Sequence, residues 1–265
     1  MTAPAYTSDI LPGRYGLKQV IRSEVAKVTT LRSTLWTLLI TVAGMTVVTG
    51  LATNSVLHKS PDWYQGFDPT NQSMVGLLIG ILTMGVFGVM VVTGEYSSGT
   101  IRTSLSSTPR RPLLLVGKVL VVGTAMLVLC EALSFACFGI GQAILSGGGA
   151  PSAHLGQPGV ARAVLLSGLF LALFGLLGMG IGAIVRNTAA AISAYVGVTF
   201  LLPLLLQQLS GNPARYAPVQ ILANSVSATV PHHNQVSVTL GLLLMVAYTA
   251  AALIAGAVVF MSRDA

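Results

Sequence analysis

Six long apolar stretches constrain the fold of this chain more than any other feature. Each is close to or above the ~20 residues that an α-helix needs to cross the ~30 Å hydrocarbon core of a bilayer. The stretches lie at 34–56, 74–93, 113–145, 160–185, 189–209 and 236–261. Because lipid offers no hydrogen-bond partner to the backbone, each stretch is predicted to be a helix. The predicted fold is therefore an all-α integral membrane protein, with one transmembrane domain of six helices at 34–261.

The composition excludes an ordinary soluble domain. Charged residues make up 8% of the 265 residues, and the mean hydropathy is +0.80, whereas a soluble domain carries about 25% charged residues. The 29 glycines are typical of closely packed transmembrane helices. The net charge of +7 is divided among the segments between apolar stretches, so it indicates membrane topology and no nucleic-acid partner. Membrane lipid is the expected surrounding.

The polar N-terminal segment 1–33 is predicted to be cytoplasmic and to carry an amphipathic helix in the membrane interface. Apolar residues recur there at helical spacing, and most charged residues fall on the other side. The apolar set is Leu17, Val20, Ile21, Val25, Val28 and Leu31, and the charged set is Lys18, Arg22, Glu24, Lys27 and Arg32. No short apolar signal core precedes the first span, so that span is expected to remain in the mature protein.

The distribution of Lys and Arg predicts the orientation, because these residues concentrate on the cytoplasmic side of membrane proteins. Six spans place both termini on one side. If that side is the cytoplasm, the cytoplasmic set is Arg14, Lys18, Arg22, Lys27, Arg32, Arg102, Arg110, Arg111, Lys118, Arg186 and Arg263, and the outer set is Lys59, Arg162 and Arg215. Both termini are therefore predicted to be cytoplasmic. The segment 94–112 is then a cytoplasmic loop, and 210–235 is an outer loop in which 219–230 is either a short interfacial helix or irregular.

The densest polar stretch lies in the predicted cytoplasmic loop at 94–112. It reads Gly94-Glu95-Tyr96-Ser97-Ser98-Gly99-Thr100-Ile101-Arg102 and continues to Pro109-Arg110-Arg111-Pro112 and Gly117-Lys118. Gly94 and Gly99 permit turns, and Glu95 and Arg102 carry charges that can pair within the loop or with a partner protein. From composition alone the stretch is either a solvated loop or a docking element.

This stretch resembles the permease subunits of ABC-2 type ATP-binding cassette transporters. An acidic residue followed by Gly-Thr-Ile-Arg, a Pro-Arg element and a Gly-Lys helix start is typical of that family, and so is the layout of an amphipathic helix before six spans. The resemblance implies that 94–112 is a coupling loop, which contacts a separate ATPase subunit. The implied coupling residues are Glu95, Tyr96, Gly99, Thr100, Ile101 and Arg102, with Arg22, Glu24 and Lys27 of the N-terminal helix as a second contact.

The resemblance also implies the partners and the activity. Two copies of a cytoplasmic ABC ATPase subunit would bind ATP and Mg, and a second permease copy or a homologue would complete a dimer. The chain has no GxxxxGK[ST] loop for ATP phosphates, so we expect no catalytic residue, metal or cofactor on it and do not expect it to be an enzyme. The implied function is export of a hydrophobic or amphipathic small molecule, such as a drug, antibiotic or lipid. A composition rich in Ala and Gly, with Arg over Lys, indicates a GC-rich bacterial genome. The expected location is therefore a bacterial plasma membrane.

Polar residues within the spans are candidates for a transport pathway. Glu131 lies in the third stretch, roughly 18 Å of helix beyond Lys118, where a carboxylate is costly and often functional. It either serves a pathway or buried pair, or is protonated and hydrogen-bonded to a neighbouring helix. Gln142, Gln207 and Gln208 lie towards the outer ends of their spans and either line an exit route or are solvated. The alternative function is a proton-coupled secondary transporter that uses Glu131 and needs no ATPase.

Two GxxxG pairs predict close helix contacts in lipid. The pairs are Gly76 with Gly80 and Gly178 with Gly182, and they fit packing within the chain and packing between subunits equally. Pro203 removes a backbone donor and crowds the preceding turn, so it predicts a kink in the fifth span.

Overall fold

The computed structural model describes residues 21–25, 32–100, 111–209, 213–228 and 236–262, and within these ranges all regular structure is helical. The long helices are α1 (Arg32–Asn54), α3 (Leu77–Ser97), α4 (Arg111–Gly147), α5 (Val160–Val185) and α9 (Val238–Ser262). The shorter helices are α2 (Pro69–Ser73), α6 (Thr188–Val196), α7 (Leu202–Leu206) and α8 (Pro218–Val226). Of the predicted N-terminal amphipathic helix, only 21–25 is described, and those residues are helical.

Six helices in the described ranges are long and apolar enough to cross a membrane, which confirms the prediction of six spans. They are Leu35–Asn54, Leu77–Ser97, Leu115–Gly147, Val160–Val185, Thr188–Leu206 and Val238–Ser262. The fifth span comprises α6, α7 and the segment between them. The chain crosses the bundle with each span, so the end of α3, the start of α4 and the end of α9 share one end, called here the Lys118 end. The opposite end, which carries α2 and α8, is called the Asp68 end.

Helix α5 forms the centre of the bundle. In its most apolar stretch 72% of the residues are buried, against 17% for α1 and for α9. Helices α3, α4 and α9 pack around α5, and α1 packs on α3 and α4. Phe170 and Phe174 of α5 are fully buried among residues of these helices. The apolar surface of the outer helices is correspondingly exposed, as expected for surfaces that face lipid.

Glycines allow α3 and α5 to pack with their backbones in contact. A Cβ atom on Gly88 would collide with the carbonyl oxygen of Gly175, and a Cβ on Gly178 would collide with that of Gly85. Small residues are favoured at such sites in membranes because helices there associate through close van der Waals packing. Gly85 and Gly88 are three positions apart, so they do not form a GxxxG motif.

The two predicted GxxxG pairs also lie at helix contacts within the chain. Gly182 faces α3, where its Cβ would lie 3.0 Å from the carbonyl oxygen of Val89, and Gly178 shares that seam. Gly76 meets the carbonyl oxygen of Met45 in α1, and a Cβ on Gly80 would lie 2.9 Å from the sulfur of the same methionine. These contacts account for both pairs without a second subunit.

The fifth span is irregular one turn before Pro203. Residues Gly197–Leu201 form a π-helical segment, which joins α6 to α7, and Pro203 is in the first turn of α7. A proline cannot donate to the preceding turn and crowds it, and a widened π turn accommodates the lost i→i+4 bond. The irregularity that Pro203 predicts is thus placed at 197–201.

The helices on either side of the predicted loop 94–112 are longer than their apolar stretches. Helix α3 continues through Gly94 to Ser97, and the chain turns at Gly99, whose φ is +71°. Nothing between Val92 and Ser98 breaks a helix, so hydrogen bonding continues past the apolar run until a residue with positive φ is reached. Gly94 therefore lies within a helix, contrary to its interpretation as a turn residue.

The Asp68 end is built from short helices packed on the bundle. Helix α8 occupies part of the predicted stretch 219–230, and its residues Ile221, Leu222 and Val226 are buried. It packs on α5 and α9, so its apolar face is covered by protein. Helix α2 packs against α1 and α4.

Candidate functional site

A buried ion cluster lies at the Lys118 end. The ammonium nitrogen of Lys118 lies 2.7 Å from Oε2 of Glu24 and 2.8 Å from Oε1 of Glu95, and it donates a hydrogen bond to each. The exposed fractions are 4% for Lys118, 1% for Glu24 and 8% for Glu95. The cluster therefore joins the 21–25 segment, the end of α3 and the start of α4.

The burial of these charges makes the cluster sensitive to the loss of Lys118 in particular. Taking a charge out of water costs several kcal/mol, and a buried pair offsets this cost only when its geometry and hydrogen bonds are good. Removing Lys118 leaves two buried carboxylates without their shared cation, which is strongly unfavourable, whereas removing either glutamate still leaves Lys118 paired with the other. The ion pairs consequently fix the three segments relative to one another.

A second set of contacts joins the end of α3 to the end of α5 and to α9. The guanidinium of Arg186 lies 5.2 Å from the centroid of the Tyr96 ring, within the range of a cation–π contact. Its Nη2 donates a hydrogen bond of 2.6 Å to the carbonyl oxygen of Val259. The hydroxyl of Thr188 donates to that of Thr93 at 3.0 Å. At this end α3 is thus joined to α4 by the ion cluster, to the end of α5 by Arg186 and to the fifth span by Thr188. Arg186 also joins α9 to this group.

The structure brings Glu24, Glu95 and Tyr96 of the predicted coupling residues into these contacts. Arg22 is exposed next to the cluster, and Gly99 ends the helical segment with positive φ. The hydroxyl of Thr100 lies 2.9 Å from that of Ser98. Lys27, Ile101 and Arg102 lie outside the described residues.

Two residues of this site, Lys118 and Arg186, are not predicted by the sequence to be partners of the predicted coupling residues. Lys118 was noted only as part of a helix start, although a lysine within an apolar helix is itself a signal, because a buried ammonium needs a carboxylate. Arg186 adopts φ +61° at the C-cap of α5 and is the one non-glycine residue with positive φ in the described ranges. Neither pairing is encoded in local spacing, since Lys118 and Glu24 are 94 positions apart.

Glu131 lies where α4 packs against α5. A Cβ atom on Gly168 of α5 would lie 2.6 Å from Cδ of Glu131, so the glycine makes room for the carboxyl group. Oε2 of Glu131 is buried and has no hydrogen-bond partner among the residues that the structure describes. The buried pair that the sequence left open for this residue is therefore not seen in that part of the chain.

The three glutamine candidates lie in different surroundings. Gln142 is buried, and its amide nitrogen donates to the carbonyl oxygen of Pro69 at 3.0 Å and to the hydroxyl of Ser73 at 2.9 Å. Its amide oxygen accepts from the backbone of Ala153 at 2.6 Å. Gln142 thus fastens α2 to α4, and these bonds give it a packing role. Gln207 and Gln208 are exposed just after α7.

Asp68 joins two distant loops at the opposite end. Its Oδ1 accepts from the backbone N–H groups of Thr70 and Asn71 and caps α2. Its Oδ2 accepts from the hydroxyl of Ser227 at 3.1 Å and from the backbone of Ala228 at 2.8 Å. The Asp-Pro start of α2 is a recognisable N-cap signal, but the contact with Ser227 has no signal in the sequence.

The fold and the ion cluster define a multi-pass α-helical membrane protein whose buried charges join the helices at one end. The family model of the ABC-2 family transporter protein matches residues 16–265. The chain therefore belongs to the ABC-2 transporter family, as the resemblance at 95–118 indicated, and is a membrane component of such a transporter. No curated protein matches the chain.

Proposed function

We propose that this chain is the permease subunit of an ATP-driven exporter of the ABC-2 type. Two copies of a cytoplasmic ATPase subunit would bind ATP and Mg, and a second permease copy or a homologue would form the other half of the membrane domain. Membership of the family supports this assignment. The observation that carries it is the cluster of Glu24, Glu95 and Lys118, because it links the two segments expected to contact the ATPase to the start of α4.

The cluster and the Arg186 contacts suggest how ATPase closure would reach the membrane helices. A push on the 94–112 segment or on the N-terminal helix would act on Glu95 or Glu24 and, through Lys118, on α4. The same push on Tyr96 would act through Arg186 on the end of α5 and on α9. Alternating access requires such a rigid connection, because a flexible loop would absorb the displacement.

The proposed cargo is a hydrophobic or amphipathic small molecule, such as a drug, antibiotic or lipid, and the proposed location is the bacterial inner membrane. The strongly apolar helices support this class of cargo, since a molecule that partitions into lipid can reach a site between them from the bilayer. The proposed orientation places the Lys118 end in the cytoplasm, in agreement with the concentration of Lys and Arg there.

The first test is co-purification of the tagged protein from detergent, followed by mass spectrometry and an ATPase assay on the eluate. We expect a stoichiometric subunit with a Walker motif and ATP hydrolysis. Glu95→Gln removes one charge of the cluster, so transport and permease-dependent ATPase stimulation should fall by about tenfold or more, since charged hydrogen bonds contribute ~1.5–3 kcal/mol. The matched control is Asp62→Asn, an exposed acid at the Asp68 end. A protein that purifies alone and transports normally with Glu95→Gln would contradict the proposal.

A proton-coupled carrier built on Glu131 is the second candidate, and the buried Oε2 without a described partner favours it. The two functions differ in their energy source. Transport in inverted vesicles that requires ATP and survives an uncoupler supports the ABC exporter. Transport that follows the proton gradient and is lost in Glu131→Gln, but not in Glu95→Gln, supports the carrier.

A further inference from the structure

A polar cavity of ≈ 380 Å³ lies at the Asp68 end, between the end of the fifth span, α8 and the residues before α9. Arg215, in the 3₁₀ turn Pro213–Tyr216, is the charged residue among its described lining. The described residues that line the cavity are Gln207, Ala214, Arg215, Gln220, Ile221, Asn224 and Val236. In the described part of the chain, neither the ion cluster nor Asp68 joins these three segments to one another.

Arg215 contacts the ring and the hydroxyl of its neighbour Tyr216. Its guanidinium lies 4.8 Å from the ring centroid of Tyr216, and its Nη2 donates a hydrogen bond of 2.9 Å to the hydroxyl of that residue. The backbone of Tyr216 in turn accepts a hydrogen bond of 3.1 Å from the hydroxyl of Tyr248 in α9. No carboxylate lies within 4.0 Å of Arg215 in the described parts of the chain. A fixed positive charge therefore borders the cavity without an anionic partner from those residues.

The remaining polar lining is neutral and can donate hydrogen bonds. Gln207, Gln220 and Asn224 each carry an amide group, and Asn224 also donates to the carbonyl oxygen of Val236. None of the described lining residues is acidic. One cation with several amide donors and no carboxylate gives the cavity the chemistry of an anion site, and guanidinium groups suit phosphate in particular.

The cavity lies where the fifth span ends and the sixth span begins. Gln207 follows the last helical turn of the fifth span, and Val236 precedes the first turn of α9. Leu204 and Leu205, just before Gln207, are exposed, as are Leu240 and Leu243 just after the start of α9. Exposed apolar side chains therefore follow the cationic, amide-lined cavity on both helices that border it.

We propose that this cavity binds the phosphate headgroup of an anionic amphiphile, whose acyl chain lies along the exposed leucines of α7 and α9. Arg215 supplies the charge, and Gln207, Gln220 and Asn224 supply neutral hydrogen bonds. This site does not depend on an ATPase partner or on transport, so it stands even if the proposed function fails. The shared chemistry is a phosphate anion, which could come from a bilayer lipid or from a soluble phosphate.

The test measures lipid retention on the full-length protein by native mass spectrometry from detergent with equimolar phosphatidylglycerol and phosphatidylcholine. Wild type should retain phosphatidylglycerol preferentially, and Arg215→Gln should lower that retention by about tenfold or more, because a charged hydrogen bond contributes ~1.5–3 kcal/mol. Arg215→Lys keeps the charge but not the planar guanidinium, so it should retain more of the preference than Arg215→Gln and less than wild type. Lys59→Gln is the matched control, since Lys59 is an exposed cation at the same end but lies outside this cavity.

Further arms identify the source of the anion and guard against misfolding. Gln220→Glu introduces a negative charge and should abolish the preference for phosphatidylglycerol while leaving phosphatidylcholine retention unchanged, which an unfolded protein would not do. If millimolar inorganic phosphate displaces the lipid, the anion alone is recognised, and if it does not, the acyl chain is needed. Equal retention of phosphatidylglycerol by wild type and Arg215→Gln, or an equal loss in Lys59→Gln, would overturn the proposal.

Discussion

Lys118 is a single cation that holds two carboxylates from different segments of the chain. Replacing it with methionine keeps the volume of the side-chain stem but leaves Glu24 and Glu95 without their shared partner. We expect a loss of about 3–5 kcal/mol in the free energy of unfolding, the range for breaking a buried ion pair. Detergent-induced unfolding in mixed micelles measures this loss. Lys59→Met, at an exposed lysine 6.0 Å from the Trp63 ring centroid, should change stability by less than about 1 kcal/mol. Equal effects of the two variants would contradict the role of the cluster.

Arg186 combines an unusual backbone conformation with two side-chain contacts. Arg186→Gly and Arg186→Ala both remove the contacts with Tyr96 and Val259, so they differ only in how they tolerate φ +61°. Alanine pays ~1–2 kcal/mol in the left-handed region, whereas glycine does not. We therefore expect Arg186→Gly to be more stable than Arg186→Ala by about 1 kcal/mol in the same unfolding assay. The reverse order would mean that the backbone at this C-cap is not left-handed.

At the scale of elements, the seam between α3 and α5 depends on the absence of side chains. Gly88→Ala places a methyl group against the carbonyl oxygen of Gly175, so the two helices must move apart, at a cost of at least about 1–3 kcal/mol. Gly94→Ala is the matched control in the same helix, because nothing lies within 4 Å of the added Cβ. It should be neutral or stabilising by up to about 1 kcal/mol through helix propensity. Equal unfolding free energies for Gly88→Ala and Gly94→Ala would show that the helices do not meet at this seam.

The helices themselves were predictable, and their contacts were not. A long apolar run fixes a transmembrane helix because lipid permits no other hydrogen-bonded segment of that length. The last turn of α3, at Gly94 to Ser97, was missed because polar residues there remain compatible with a helix. The π segment was foreseen only as a kink at Pro203, since the sequence marks the missing donor but not the turn that accommodates it.

The site was predictable as a set of residues but not as a geometry. The resemblance to ABC-2 permeases implied Glu24, Glu95 and Tyr96, whereas the polar stretch at 94–112 alone fitted a solvated loop as well as a docking element. Their partners Lys118 and Arg186 could not be derived, because contacts across 94 positions of chain depend on how whole helices pack. Gln142 is the opposite case. Its position near the end of a span is compatible with a transport pathway, but its hydrogen bonds with Pro69 and Ser73 give it a packing role.

At the scale of the whole molecule, the orientation predicted from Lys and Arg can be tested by labelling cysteines in intact bacterial cells. Lys59→Cys at the Asp68 end should react with a membrane-impermeant maleimide added outside. Asn187→Cys, which is exposed at the Lys118 end, should react only after permeabilisation. The native Cys130 and Cys137 are buried, so the unmodified protein is the background control. The opposite pattern would invert the proposed topology.

The contact between Asp68 and Ser227 also limits how early the Asp68 end can form during synthesis. The two residues are 159 positions apart, and ribosomes add about 5–20 residues per second. Oδ2 of Asp68 therefore lacks these two donors for roughly 8–32 seconds, until Ser227 and Ala228 have been synthesised. The contacts of Asp68 are therefore completed only after Ala228 has been synthesised, and a truncated nascent chain that stops before 227 should expose the first loop to protease.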